Sequence, residues 1–322
     1  MTAGIDPGCV RLRLGSAEGK LGTVSVGSER PAIAHYLRGR AADDAVRMVP
    51  LLFSLCGKAQ GNAAMLALAA ARGNQRTPYL DPAIQQEALR EHLWRWLLDL
   101  PALLGATAMQ REFVAALSLI AGGQRKELGE LLGAASIEAQ GRALTKLEDA
   151  SDSVPRWLPP LSAQGSLEWW PRLDAGFAQL PHWQGAAAET GAMARQQGGA
   201  ELAAGAFAAR WLARLGEVRD WAAGTEKVGA GGTASAVPSG AGRGRALVET
   251  ARGLLMHEIT LDGDRIADYV IVAPTEWNFH PQGPLAGWLM GRDATDRGAV
   301  QAFAARAVAA LDPCVRWELE WL

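Results

Sequence analysis

The segment Asp312-Pro313-Cys314-Val315-Arg316-Trp317-Glu318-Leu319-Glu320-Trp321-Leu322 holds half of a metal-binding pattern. Two cysteines spaced Cys-x-x-Cys close a small chelate in which both thiolates reach one soft metal. Cys314 stands at the first of these positions, but Trp317 stands at the second and Glu320 three residues beyond it. Taken alone, a single cysteine here reads as a small buried hydrophobe. The rest of the chain decides between the two readings, and with them the fold.

A second cysteine lies in Leu55-Cys56-Gly57-Lys58-Ala59-Gln60-Gly61-Asn62-Ala63, where a helix rich in small residues begins. Backbone amides at a helix start stabilise negative charge, so this position favours the thiolate of Cys56, with Lys58 adding to the effect. Cys9 matches no pattern and is read as packing. An odd count of three widely spaced cysteines is a poor disulfide framework and fits reduced thiols. His35, His92, His182, His257 and His280 are scattered without ligand spacing, and His280, soon after Trp277-Asn278, is the candidate for a supporting role.

The chain has 322 residues, 49% hydrophobic and 20% charged, enough to bury a sizeable core in one globular unit and inconsistent with disorder. A formal net charge of −2 with no dominant block of Lys and Arg gives no electrostatic case for nucleic acid or an anionic membrane. The first twenty residues carry Asp6, Arg11, Arg13 and Glu18, and the longest apolar run, 63–71, is far shorter than a membrane span. The expectation is a cytoplasmic protein.

Alternation in Val10-Arg11-Leu12-Arg13-Leu14, a turn at 15–19 and resumption over 21–26 predict an N-terminal β-hairpin within 1–38. Ala- and Leu-rich stretches then predict a helical body over 39–223, with helices near 41–72, 82–98, 101–120, 124–134, 136–149 and 200–215. Within it, 151–185 combines Pro155, Pro159, Pro160, Pro171 and Pro181 with Trp157, Trp169, Trp170 and Trp183, as expected of a loop that drapes rings over the helices. The stretch 224–245 has almost no large apolar side chain and reads as a flexible Gly-rich loop. Strands follow at 246–249, 254–261 and 266–272, the last two joined by Asp262-Gly263-Asp264, and a helix over 297–311 leads into the tail. The fold class is α+β, predominantly helical, with a small antiparallel β portion.

Five segments, in order, resemble the large subunit of nickel-iron hydrogenases. Glu18-Gly19-Lys20-Leu21 is similar to its Glu-Gly-His-Leu. Cys56-Gly57-Lys58-Ala59 is similar to its Arg-x-Cys-Gly-x-Cys-x-x-x-His, with Ser54 at the Arg position, Ala59 at the second Cys and Ala63 at the His. Glu249-Thr250-Ala251-Arg252-Gly253 and Ala273-Pro274-Thr275-Glu276-Trp277-Asn278 resemble its Glu-Ala-Pro-Arg-Gly and Val-Pro-Ser-Thr-Trp-Asn. The last is Asp312-Pro313-Cys314, the start of the enzyme's Asp-Pro-Cys-x-x-Cys-x-x-His. The closer resemblance is to the enzyme's non-enzymatic paralogue, the HupK/HoxV-type hydrogenase accessory proteins.

In the enzyme four cysteines bind nickel, and the second of each pair bridges to an iron carrying two cyanides and one carbon monoxide. Here both bridging positions are lost, as Ala59 and Trp317, while the others survive as Cys56 and Cys314. The resemblance therefore implies a non-catalytic scaffold that holds Fe(CN)2(CO) transiently through Cys56 and Cys314, with no stable nickel. Arg252, Thr275 and Pro274 would contact the diatomic ligands, and Glu18 would order the pocket. The implied donor is a HypC/HypD-type maturation complex, and the implied acceptor is the apo large subunit of a hydrogenase. Two other readings are a divergent oxidoreductase with a mononuclear two-cysteine site and a degenerate paralogue that only binds partners. Ending at Leu322, the chain is also expected to need no nickel-triggered cleavage.

Overall fold

The computed structural model describes residues 8–29, 33–53, 55–147, 156–196 and 205–322. Ser54, the ends of the helices expected from 200 and to 149, and the opening of the Pro- and Trp-rich stretch lie outside these residues. Strands β1 (Cys9–Ala17) and β2 (Lys20–Glu29) form the predicted hairpin, turning at Glu18 and Gly19 with positive φ. Helices α1 (Ala42–Leu52) and α2 (Gly57–Ala71) replace the single helix expected over 41–72, and strand β3 (Arg76–Leu80) follows.

Helix α3 (Pro82–Trp94) begins with Pro82 at its first position and Asp81 accepting from the amides of Ala83 (2.9 Å) and Ile84 (3.3 Å). It continues through a π turn (Arg95–Asp99) into α4 (Leu100–Leu103), so Pro101 does not break the helix as expected; the Leu97 carbonyl, which Pro101 has no amide to serve, accepts from the Met109 amide (2.8 Å) instead. Then come α5 (Gln110–Ala121), α6 (Arg125–Leu132), α7 (Ala135–Leu144), α8 (Ala163–Trp169), α9 (Ala175–Gln179), α10 (Ala192–Arg195) and α11 (Ala206–Ala223). The C-terminal part holds β4 (Thr233–Gly240), β5 (Arg243–Thr250), β6 (Gly253–Asp262), β7 (Arg265–Val272), α12 (Pro274–Asn278), α13 (Pro284–Leu289), α14 (Arg297–Leu311) and β8 (Arg316–Trp321).

With 48% helix and 24% strand, the fold is α+β, but its β portion is not small. An antiparallel sheet of order β3-β4-β5-β6-β7 and a second sheet of order β2-β1-β8 divide the strands, and β8 runs parallel to β1. The stretch expected to be a flexible loop supplies β4 and the start of β5, in the middle of the larger sheet. Its small residues serve close packing. A Cβ on Gly244 would lie 2.1 Å from the Ala71 amide nitrogen, so only glycine lets α2 and β5 approach this closely. Arg245, fully buried, donates to Glu258 (2.8 and 2.6 Å) and to the Trp170 carbonyl (2.6 Å). Gly244→Ala is expected to cost about 1–3 kcal/mol or more, as overpacking does, seen as a lower denaturant midpoint at unchanged slope.

Period-2 alternation then sorts the faces of the sheet. Ala246 and Val248 face the Ala-rich α2, while Leu247 and Leu254 face the aromatic cluster. In that cluster Trp170 packs on Trp277 (5.8 Å between centroids) and Trp183 (5.6 Å). These rings therefore cover the sheet, not the helical body as expected. Trp96, Trp211, Phe207 and Phe303 instead fill the separate core between α3, α11 and α14.

The tail strand repeats the alternation. Val315, Trp317, Leu319 and Trp321 pack against the helical core, while Glu318 and Glu320 reach Arg11 (3.4 Å) and Arg13 (3.0 Å) of β1. Such exposed ion pairs each contribute about 0–1 kcal/mol, so the apolar face holds the tail down. No helix among the described residues is long and apolar enough to cross a membrane.

Candidate functional site

Three chain segments from distant parts of the sequence meet at one small cavity of about 20 Å³. Cys56 enters it from the residue that caps α2, Arg252 from the β5–β6 turn and Cys314 from the link between α14 and β8, with Pro274 beside them. A water-sized probe needs about 10–15 Å³, so the space holds one or two such bodies.

Each segment is held by local structure. Ala251-Arg252 is the two-residue turn of a tight hairpin, paired Thr250 to Gly253. The Thr250 hydroxyl donates to the Gly253 carbonyl (2.9 Å), and Asn278 Nδ2 donates to the Arg252 carbonyl (3.2 Å). Gly253 has φ +126°, and a Cβ there would meet Thr190 at 2.4 Å. Buried Arg195 braces the turn, donating to Glu249 (2.8 Å) and to the Thr250 carbonyl (3.1 Å).

The Arg252 guanidinium donates to Glu91 (3.1 Å) and lies 3.3 Å from Asp312. Burial opposes its charge, but Asp312 and Glu91, with the sulfurs of Cys314 and Cys56, outweigh that and raise its pKa. Asp312 takes the left-handed conformation (φ 56°) at the end of α14 and also meets Arg95 at 2.7 Å. Burial would raise its carboxyl, yet Arg252, Arg95 and Arg214 hold it well below the ordinary carboxylate range.

Cys314 receives two contacts from one residue. Its amide donates to Thr275 Oγ1 (3.4 Å), and its sulfur lies 3.1 Å from the same oxygen. The hydroxyl can donate to the sulfur or accept from the thiol across this contact. Thr275 thus reaches the cavity through Cys314. On the other wall, Glu87 accepts from the amides of Lys58 (2.8 Å) and Ala59 (3.0 Å), so the start of α2 does not serve Cys56 alone. Burial raises the Glu87 carboxyl against the pull of these amides.

Cys56, Arg252, Pro274 and Cys314 therefore meet, with Thr275 behind the last. Glu18 does not join them: it is exposed at the hairpin tip, where Gly19 accepts from the Ala294 amide (2.8 Å). His280 is occupied in its own turn, accepting from the Gln282 amide (3.1 Å), and Cys9 is buried in β1. Ala59 is buried beside Ala63 and Leu255, and Trp317 packs on the helical core, so both bridging positions carry packing side chains. Sequence reasoning missed Gln60, Glu87, Glu91 and Arg95. Glu87 and Glu91 share a face of α3 at i, i+4, but acidic residues on a helix face ordinarily mark solvent.

The fold is similar to that of hydrogenase large chains. The reduced Ni-Fe-Se hydrogenase from Desulfomicrobium baculatum superimposes with a TM-score of 0.62 at 14% identity, over 94% of this chain and 95% of that one. The Ni-Fe-Se hydrogenase from Desulfovibrio vulgaris Hildenborough gives 0.60 at 15%, over 93% and 94%. Such low identity speaks to fold alone. Residues 206–316 match the nickel-dependent hydrogenase family. The hydrogenase expression/formation protein HupK of Rhizobium leguminosarum bv. viciae is 32% identical, over 92% of each chain. HoxV of Cupriavidus necator, described in the same words, is 31% identical, also over 92% of each. Sequence likeness at this level along almost the whole chain, on a hydrogenase large-subunit framework, makes the protein a member of the HupK/HoxV family of hydrogenase expression/formation proteins.

Proposed function

We propose that this protein is a non-catalytic maturation scaffold that accepts an Fe(CN)2(CO) unit, holds it between the thiolates of Cys56 and Cys314, and passes it to the apo large subunit of a nickel-iron hydrogenase. The observation that carries this reading is the convergence of two thiols and a buried guanidinium on one cavity. The names of the relatives, hydrogenase expression/formation proteins, support the maturation role.

Soft thiolates suit iron(II) with strong-field ligands, and each thiol releases a proton as its sulfur binds. The fragment is formally neutral, so two thiolates leave a net negative site, which the Arg252 cation offsets. Pro274 provides an apolar wall. Two sulfurs hold the cargo less tightly than an acceptor that offers four, so transfer runs downhill. The cargo is larger than the closed cavity, so loading requires the lining to part. A HypC/HypD-type complex is the proposed donor.

The test is infrared spectroscopy of protein purified under reducing, anaerobic conditions from a host with a complete maturation system. Cyanide and carbonyl stretching bands are expected. Iron-loaded protein without such bands, or protein without iron, would rule the scaffold role out.

A further inference from the structure

Gln60 lies on the first turn of α2, is 1% exposed and lines the cavity that holds Cys56 and Cys314. Its Oε1 lies 2.9 Å from Nε2 of His257 on β6, and Nδ1 of that ring lies 2.8 Å from the hydroxyl of Tyr269 on β7. All three side chains are buried, and Tyr269 borders a second, larger cavity of about 480 Å³. Burial pushes His257 down to about 3, so at neutral pH the ring carries one proton.

A carbonyl oxygen can only accept, so the proton sits on Nε2, and Nδ1 accepts from the Tyr269 hydroxyl. In this arrangement the carboxamide oxygen is committed to His257, which leaves the amide N–H groups for the cavity that Gln60 lines. The Arg252 guanidinium, a donor in the same lining, is already engaged by Glu91 and Asp312, and the remaining charged and sulfur groups favour the same orientation. Glu87, Glu91 and the two sulfurs are acceptors, and the reversed amide would place one more oxygen among them.

We infer that Gln60 is a specificity-determining residue, whose N–H groups, aimed by His257 and Tyr269, select an occupant presenting a terminal nitrogen or oxygen acceptor, as iron-bound cyanide does. The inference rests on the iron-fragment reading and adds to it a basis for discrimination. A bare divalent ion is bound by the thiolates alone and gains nothing from an N–H donor. A cyanide-bearing fragment gains a hydrogen bond that a bare ion cannot make.

Two variants test this in the full-length protein loaded in the maturation-competent host. Gln60→Met keeps length and helix preference but removes the donors. It is expected to shift the cyanide bands and lower the cyanide-bearing iron several-fold, while zinc binding by the purified apo-protein is unchanged. Tyr269→Phe leaves the cavity lining intact but releases the tautomer, and is expected to broaden or split the cyanide bands as the amide samples both orientations. Bands unmoved and undiminished in both variants would overturn the inference and leave the scaffold reading standing. Absence of bands from the unsubstituted protein would overturn the reading, and the inference with it. Equal loss of zinc and of the cyanide-bearing iron in Gln60→Met, with Tyr269→Phe unchanged, would reduce Gln60 to a structural role.

Discussion

Asp312→Asn is expected to destabilise the protein by about 3–5 kcal/mol, the usual cost of removing one partner from a buried ion pair. Asparagine keeps the shape of the side chain and tolerates the left-handed backbone at this position, so the substitution isolates the charge. Without it, Arg252 and Arg95 lose the carboxylate that lies 3.3 and 2.7 Å from them, and Arg214 loses the cation-stabilising charge nearby. Among the described residues, Glu91 and Asp99 remain as the acidic partners of the first two. Urea unfolding measures the loss directly.

The pH dependence follows from the direction of the Asp312 shift. Its folded pKa lies below the unfolded carboxylate value of about 3.9, so the folded state binds this proton less readily than the unfolded state. The stabilisation is fully present above the unfolded value and is lost only as pH falls through the depressed folded one. The stability difference between the native protein and Asp312→Asn should therefore stay constant from neutral pH down to about 5 and shrink below 4. A difference that faded near neutrality would assign the effect to another group.

Cys56→Ser and Cys314→Ser are each expected to abolish most of the maturation-dependent hydrogenase activity in a host that relies on this protein. Serine preserves size and, at 314, the contact with Thr275, but its oxygen is a hard donor with little affinity for the metal fragment. Losing a ligand should cost at least the roughly 10–100-fold in affinity that a metal site loses with one supporting hydrogen-bond partner. Neither serine removes a buried ion pair, so both variants should unfold near the native midpoint. Normal maturation in both would favour the partner-binding paralogue. Hydrogen-dependent dye reduction by the purified protein that disappears in Cys314→Ser would favour the oxidoreductase.

Cys56, Arg252, Pro274 and Cys314 were legible as sequence because each sits in a short motif whose chemistry is local. The groups that tune them were not. Glu87 and Glu91 look like a solvated helix face until α3 is packed against the β5–β6 turn, and Gln60 is one more polar residue in an Ala-rich helix. Asp312 stood in a quoted motif, but its role depends on arginines from α11, the π turn after α3 and a β turn. The strands at 254–261 and 266–272 and the helix at 297–311 were plain from alternation and from the Asp262-Gly263-Asp264 turn. The 224–245 stretch misled because small residues suit both a slack chain and the tightest packing between helix and sheet. Only the partner, the backbone of α2 against Gly244, distinguishes the two. The period-2 pattern of Arg316-Trp317-Glu318-Leu319-Glu320-Trp321 marks a strand, but its partner β1 lies about 300 residues away, so nothing local shows what it pairs with.

The parallel pairing of β8 with β1 joins Cys9 to Arg316 and Leu14 to Trp321. The two strands are separated by about 300 residues, so at about 5–20 residues per second β1 waits on the order of 15–60 s for its partner to be made. Cys314 directly precedes β8 and cannot take its place beside Cys56 before then. On the proposed scaffold reading, iron loading therefore follows the synthesis of the Cys314 segment and does not precede the pairing of β8 with β1.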